Sequence, residues 1–441
     1  MSHVETRSLA VSAGVVRCLR VCLILTARLA VLASIVLRCA LPPARNRFIP
    51  LRDTWLLATV TALGPAFIKA AQILSTRADV IPRHISRVLS SLHDQVRPRP
   101  LGADGVRRLD AGLRRLLRDE GDLAIRPPVA AGTIACVYRA ELTDGSTVAL
   151  KVRRPGIVPL LSADLAVMQA VARLVAVVPP LRGIPVVDVV RQLADSLRGQ
   201  LDFERERENL RLLRENLDDE PGVRVPAVYE ELCGPDVLVM EYLDDLHRPR
   251  PLAQDGAQAA VTALRAAYHM LFLDGLVHCD LHPGNLVCGP GRAVTIVDAG
   301  FTVRLTPHAR EKFTDFFDAM SRGDGQTCAD IVLSTARPGP RTDTAAFRRA
   351  LASLVDAHSG ATAAEFDLKA FATSLFALQR HHGLYADPQF VFPILSLLVL
   401  EGTVRELGPH LDFQAVAKPY LIIALMERAI ANAARKQQES S

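Results

Sequence analysis

The chain has 441 residues, 49% of them hydrophobic and 22% charged, with a net charge of +5. That length suits one large two-lobed domain with an appendage, and the composition excludes both a disordered chain and one built mainly of membrane spans. Residues 1–50 hold seven Arg and one Glu, a net +6, so the other 391 carry about −1 (5 − 6) and offer no basic face for nucleic acid.

The eight cysteines form no CxxC pair and read as reduced thiols of a cytoplasmic protein. Lys occurs six times and Arg supplies the other 46 basic residues (52 − 6), a bias that points to a GC-rich bacterial genome. Where a chain defaults to Arg, a Lys at a motif position is informative.

Residues 9–41 are apolar but punctuated by Arg17, Arg20, Arg28 and Arg38. The stretch from Leu29 to Leu37 is free of charge for only nine residues, short of the roughly 20 that a spanning helix wants. On a helical wheel the four Arg fall within an arc of about 80°. A basic stripe on an otherwise apolar helix suits the surface of an anionic bilayer. The plainer alternative is a helix packed on the body with its Arg stripe in water. Pro42-Pro43 is expected to end this helix.

Residues 53–93 read as helical and contain GPAFIKAAQILSTRADVIP, which places Lys69 and Gln72 on one face. RPRPLGADG at 97–105 reads as a linker, followed by a basic helix from Val106 to Arg118. Strands begin near Ile125. In PPVAAGTIACVYRAEL, the small-residue run Ala130, Ala131, Gly132 and Thr133 precedes a strand and lets backbone N–H groups approach phosphates. Lys151, central in VALKV, would be costly to bury unpaired and should meet phosphates, a carboxylate or both.

Helices follow over Ser162–Val178 and from Val187 to about Leu217. The second carries Asp202, Glu204, Glu206 and Glu208, any one of which could reach Lys151. VRVPAVYEELCGPDVLVMEYLDD reads as two strands, the second ending at Met240-Glu241, a hinge whose backbone could bind adenine. A helix over Gln258–Leu273 then leads into GLVHCDLHPGNLVCGPGRAVTIVDAGF at 275–301. There Asp280 and Asn285 stand five apart, Pro283-Gly284 makes the turn between them, and Asp298 follows an apolar strand. Phosphoryl transfer from ATP needs one carboxylate to orient the attacking hydroxyl, and an amide plus a second carboxylate to hold Mg²⁺. Asp280, Asn285 and Asp298 match that set in order and spacing. After Gly300 the chain enters FTVRLTPHAREKF directly, with no long activation loop and no Ala-Pro-Glu segment to dock a peptide, which argues against an ordinary protein kinase.

These readings give an α+β, two-lobed protein-kinase-like fold with an N-terminal helical extension and a mostly helical C-terminal lobe. Its expected parts are a basic apolar segment over 1–50, a helical extension over 51–100, an N-lobe over 101–245 and a C-lobe over 246–441.

At this point the chain resembles the UbiB family of atypical kinases, also called aarF-domain or coenzyme-Q kinase-like proteins, over about residues 60–420. FIKAAQILSTRADVIP resembles the family's Lys-x-Gly-Gln extension, and VAAGTIACVYRA its Ala-rich nucleotide loop. VALKVRRPGI, QLDFERERENLRLL, HCDLHPGN, VDAG and LLVLEGTVREL follow in family order. The resemblance implies that Lys151 binds phosphates with Glu206 as its ion-pair partner, that Asp280 is the catalytic-loop aspartate, and that Asn285 and Asp298 hold Mg²⁺. It implies that Lys69 and Gln72 belong to an extension that folds over the active site. It also implies ATP and Mg²⁺ as cofactors and a role in ubiquinone or related isoprenoid-lipid metabolism. The implied setting is cytoplasmic, at the inner face of a membrane, with a lipid-like substrate and biosynthetic enzymes as partners. Departures from the family are Ala71 for Gly in the extension, Gln200 for the first acid of a Glu-x-Asp element that keeps Asp202, Gly132 at an Ala position, Cys136 where Gln is common, and Asp298-Ala299-Gly300 without Phe.

Two other functions compete. A small-molecule phosphotransferase of the aminoglycoside or choline kinase type also uses a loop like HCDLHPGN. A non-catalytic ATP-binding scaffold would keep the anchors without turnover.

Overall fold

The computed structural model describes residues 3–39, 48–76, 81, 83–92, 98–177, 186–247, 253–288, 294–339, 342–359, 367–408 and 410–439. The chain divides into two compact units, one of residues 1–203 and 231–239, the other of residues 204–230 and 240–441. The architecture is the expected α+β one, helical for most of its length with small sheets.

The first unit opens with helices α1 (His3–Cys39), α2 (Phe48–Leu63), α3 (Pro65–Thr76) and α4 (Arg83–Ser90). Gly64, at φ +104°, breaks the chain between α2 and α3, a conformation that only glycine adopts cheaply. The basic helix expected over Val106–Arg118 is instead broken into the end of α5 (Gly102–Arg108) and α6 (Ala111–Leu116), with α7 (Glu120–Ile125) following it. Side-chain capping restarts the chain twice: Asp110 accepts from the Gly112 N–H and Asp119 from the Asp122 N–H. Strands β1 (Ala130–Ala131), β2 (Ala135–Glu141) and β3 (Thr147–Arg153) follow, then α8 (Ile157–Ala176) and α9 (Val186–Gly199). The helix expected from Val187 to Leu217 stops at Gly199 and resumes as α10 (Phe203–Asn216). After β4 (Val223–Arg224), β5 (Val237–Glu241) completes a sheet in the order β1-β2-β3-β5.

The N-terminal helix departs from expectation. Arg17 does not face water: its guanidinium pairs with Asp164 of α8 at 2.7 and 2.9 Å and donates to the Leu63 carbonyl, with Asp164 fully buried. The Arg28 carbonyl accepts from the Trp55 indole. Arg20 stays exposed, and so do the apolar side chains of Val16, Leu19, Leu23 and Leu29. Local sequence could not reveal the pairing of Arg17, because the partner carboxylate lies 147 residues away. Val16–Leu37 is long and apolar enough to cross a membrane by length and composition, as is Ile157–Ala176, which is partly buried in the unit. The expected stop at Pro42-Pro43 lies outside the described residues.

The second unit begins with α10. A three-stranded sheet runs β4-β8-β7, with β7 (Leu286–Cys288) antiparallel and β4 parallel to β8 (Val294–Ile296). β6 (Leu276–His278) pairs antiparallel with β9 (Thr302–Arg304), matching His278 to Thr302. α11 (Ala253–Tyr268) ends in a π-helical turn, His269–Asp274, before β6. α12 (Pro307–Ser321) starts nine residues after Asp298 (307 − 298), with Thr306 as its cap and Pro307 in its first turn, so no room remains for a long activation loop. α13 (Gly325–Thr335), β10 (Ala336–Pro338), α14 (Thr344–Ser359), α15 (Leu368–His381), β11 (Leu384–Ala386), α16 (Pro388–Leu407) and α17 (Phe413–Glu439) complete it. Tyr268, Phe272, Phe347, Phe371 and Phe376 are fully buried in its core.

The Arg17–Asp164 pair yields a first prediction. Burial raises the Asp164 carboxyl above its usual range even against the hydrogen bond and charge of Arg17. Arg17→Ala leaves that carboxylate buried without its partner and should cost about 3–5 kcal/mol, read as a lower urea midpoint, whereas Arg17→Met with Asp164→Leu should recover most of the loss.

Candidate active site

In the first unit, register places the nucleotide-loop candidates and the lysine together. Val137 of β2 pairs with Ala130 of β1 on one side and Lys151 of β3 on the other. Residues in register project to the same sheet face, so Ala130 and Lys151 share a face two strands apart, roughly 10 Å. The loop between β1 and β2 is closed by the Gly132 N–H donating to the Ala135 carbonyl at 2.9 Å, and Thr133 is buried. A Cβ on Gly132 would lie 3.4 Å from the Ala135 carbonyl, so the alanine of the family pattern fits there. Phe203 lies beneath the Lys151 ammonium, 5.8 Å from ring centroid to Nζ.

Lys69 and Gln72 lie on α3, which packs on α4, α8 and α9. The Gln72 amide donates to the Leu92 carbonyl at 3.0 Å, so it braces the chain that leaves α4. Ala71, at the family's Gly position, is buried. The Gln200 amide nitrogen is buried without a hydrogen bond among the described residues, where the family pattern has a carboxylate.

In the second unit the loop candidates converge. The Pro283-Gly284 turn brings Asn285 back on Asp280. The Asn285 Nδ2 donates to the Asp280 carbonyl at 3.0 Å and lies 3.4 Å from its carboxylate. The Val297 N–H donates to the Asn285 carbonyl, holding the strand before Asp298 against the loop. His278, fully buried, joins the two aspartates. Its Nδ1 accepts from the Asp280 N–H at 3.1 Å, so the ring proton sits on Nε2 and is donated to the Asp298 carbonyl. Burial pushes its pKa below the usual imidazole value, against the pull of both aspartates, and keeps the ring neutral. Ser396 of α16 donates to the His278 carbonyl at 2.7 Å.

Asp298 accepts from the Gly300 N–H at 2.8 Å. A Cβ on Gly300 would sit 3.3 Å from Asp298 Oδ1 and 3.5 Å from Glu206 Oε2, so both carboxylates crowd this residue, and a side chain there would meet both. Of the four candidate acids, Glu206 is the buried one. Asn209, one turn further along α10, donates to the Ala299 carbonyl at 3.2 Å, and Arg205 donates to the Thr302 carbonyl at 3.1 Å. Neither was singled out from the sequence. The i, i+3 spacing of Asn209 from Glu206 was the available signal, hidden in a run of charged residues. Glu241 gives its carboxylate to Arg224 and the Ala227 N–H, and its own N–H donates to the Ala227 carbonyl. A role for Glu241 in base binding therefore falls to its carbonyl.

A largely buried cluster of five side chains stands at the approach to both aspartates. Glu220, just before β4, accepts from the Tyr420 hydroxyl at 2.6 Å, lies 2.9 Å from His269 Nδ1 and pairs with Arg265 at 3.0 Å. Asp274 lies 3.5 Å from the other His269 nitrogen. Burial would raise the Glu220 carboxyl, but its hydrogen bonds from His269 and Tyr420 hold it below its usual range. The π-helical turn that carries His269 then enters Gly275, at φ +69°, and β6.

A model of the ABC1 atypical kinase-like domain matches residues 125–332. The chain is 32% identical over 371 residues to the "Probable protein kinase UbiB" of Aeromonas hydrophila subsp. hydrophila, spanning 82% of this chain and 68% of that protein. The chain belongs to the UbiB family of ABC1 atypical kinase-like proteins. The solved complex of Rv3197 with erythromycin from Mycobacterium tuberculosis shares its fold, with a TM-score of 0.50 at 19% identity over 79% of this chain and 90% of that one.

The cluster predicts a pH dependence. Asp274 and Glu220 raise the His269 pKa from its ordinary 6.5 to about 9. The stabilisation is complete below pH 6.5 and is lost as pH rises through about 9, up to roughly 3 kcal/mol at about 1.4 kcal/mol per pH unit. Urea unfolding of wild type should show that decline, and His269→Gln should flatten it.

Proposed function

We propose that this protein is an atypical kinase or ATPase of the UbiB type that binds Mg-ATP and acts in quinone or other isoprenoid-lipid metabolism at a bacterial membrane. The observation that carries the reading is the Asn285–Asp280 pair tied through His278 to Asp298. With its Nδ2 committed to Asp280, Asn285 can turn its Oδ1 to a metal ion, and Asp298 adds a carboxylate. An all-oxygen set of this kind suits Mg²⁺. The bound metal would neutralise charge gathered on the phosphates.

In this reading Asp280 accepts the proton of the attacking hydroxyl and Asn285 keeps it oriented. Lys151 binds phosphate oxygens, with Glu206 as its ion-pair partner. The backbone of Ala130, Ala131, Gly132 and Thr133 closes on the phosphates, and the Glu241 carbonyl meets the adenine amino group. Lys69 and Gln72 belong to an extension that covers the site. The start of α12 only nine residues beyond Asp298 favours a small or lipid-linked acceptor over a peptide. The outward apolar face of α1 supports a place at the inner surface of a membrane, with a lipid-like substrate and biosynthetic enzymes as partners.

The test is phosphate release from Mg-ATP by the full chain, with and without anionic liposomes. Lipid-stimulated turnover should fall about 10²–10⁴-fold in Asp280→Asn. Asp298→Asn should lose Mg²⁺-dependent nucleotide binding, and unchanged turnover would remove Asp298 from the site. ATP binding without turnover under every lipid condition would leave a scaffold. Separately, deleting residues 1–45 should weaken co-sedimentation with anionic liposomes, and equal co-sedimentation would take α1 out of the membrane contact.

A further inference from the structure

The motif VRRPGI at 152–157 has no part in the site described above, yet it lines a cleft of about 760 Å³ in the first unit. Cys136 and Tyr138 of β2 and Val152 of β3 face this cleft. Cys136 pairs with Val152, one residue out of step with the Val137–Lys151 pair. Side chains alternate along a strand, so the cleft lies on the sheet face opposite Lys151 and Ala130. It is a separate space from the one proposed for nucleotide phosphates.

Its charge is unbalanced. Arg99, Arg108, Arg153 and Arg154 line it against Asp110 and Asp236. Both acids are already engaged, Asp110 with the Gly112 N–H and Asp236 with Arg153 at 3.0 Å. Arg153 is further committed to the carbonyls of Leu201 and Pro235. That leaves three guanidinium groups without a carboxylate among the described residues. Arg99 and Arg108 are exposed to the cleft, while Arg154 uses Nε on the Gly132 carbonyl at 2.8 Å and has a buried Nη2 with no hydrogen bond among the described residues. The 20-residue helix α8 also begins at this cleft, at Ile157, after a Gly156 that supplies no side-chain cap. The positive end of its dipole adds to the same sign of potential. The remaining wall is apolar, with Leu109, Ile157 and Val237 each buried beneath it. The volume lies within the range of small-molecule sites, about 300–1,000 Å³.

We infer that this cleft binds a phosphate monoester with a compact apolar body, its phosphate held by Arg99, Arg108 and Arg154 at the start of α8 and its body against Leu109 and Ile157. Arg154 places the ligand one side chain from the Gly132 carbonyl of the β1–β2 loop.

The test uses hexyl phosphate as the probe, titrated calorimetrically into the full chain without nucleotide, so that its outcome does not depend on whether the protein binds ATP. Wild type should bind, and Arg108→Glu and Arg154→Gln should each weaken binding at least about tenfold. Lys151→Met, on the opposite face, should bind as wild type does. Inorganic phosphate should bind more weakly than hexyl phosphate, and equal binding would overturn the apolar half of the inference. Vesicles of phosphatidic acid in phosphatidylcholine separate the two sources of such a group: loss of vesicle binding in Arg108→Glu assigns a lipid headgroup, retention with loss of hexyl phosphate a soluble ester. No binding of hexyl phosphate at millimolar concentration, or binding lost in Lys151→Met but kept in Arg108→Glu, overturns the inference.

Discussion

The His278 imidazole is the contact on which the rest of the second unit's site depends. It is buried, neutral and used at both nitrogens, accepting from the Asp280 backbone and donating to the Asp298 backbone. A ring in this position sets the separation of two loops that are 18 residues apart in sequence (298 − 280). The Asp298 carboxylate adds a hold of its own, on the Gly300 N–H. Burial matters as much as hydrogen bonding here, because a charged imidazolium could not accept from the Asp280 N–H. The Ser396 hydroxyl on the His278 carbonyl extends the hold to α16.

Around this centre the fold spends its buried polar groups on entry points. Glu220 precedes β4, His269 and Asp274 precede β6, and Tyr420 comes from α17, so one cluster of titratable side chains anchors the segment that leads to Asp280 and the strand β4 that pairs with β8 before Asp298. Arg265 keeps the cluster near charge balance. Asn209 and Arg205 do the same for the segment after Asp298, through the carbonyls of Ala299 and Thr302. The result is a pair of aspartates whose backbone positions are set by buried neighbours.

The first unit sets two groups of side chains on opposite faces of its sheet. Alternation along β2 and β3 sends Val137 and Lys151 one way and Cys136, Tyr138 and Val152 the other. Arg154, at the end of β3, links the loop at Gly132 to the cleft behind it. The same unit turns α1 so that Arg17 answers the buried Asp164 and the apolar face looks outward.

Much of this was legible in the chain itself. The return of Asn285 onto Asp280 was legible because a five-residue loop with Pro-Gly at its turn has few ways to fold. The place of Lys151 inside a strand, and of a loop at Gly132–Thr133 before the strand it pairs with, was legible because strand alternation and small residues act over a few positions. The short path from Gly300 to α12 followed from Thr306-Pro307, a cap that works within one turn. What only the tertiary structure decided are choices made by distant partners. Arg17 turned inward because of Asp164, Glu206 became the buried acid among four, the helix expected over Val187–Leu217 broke at Gly199, and Arg154 came to join the Gly132 loop to a basic cleft. Local pattern determines which residues can do chemistry, whereas burial, which is set by what packs from far along the chain, determines which charge is exposed, which is paired and which face a helix shows.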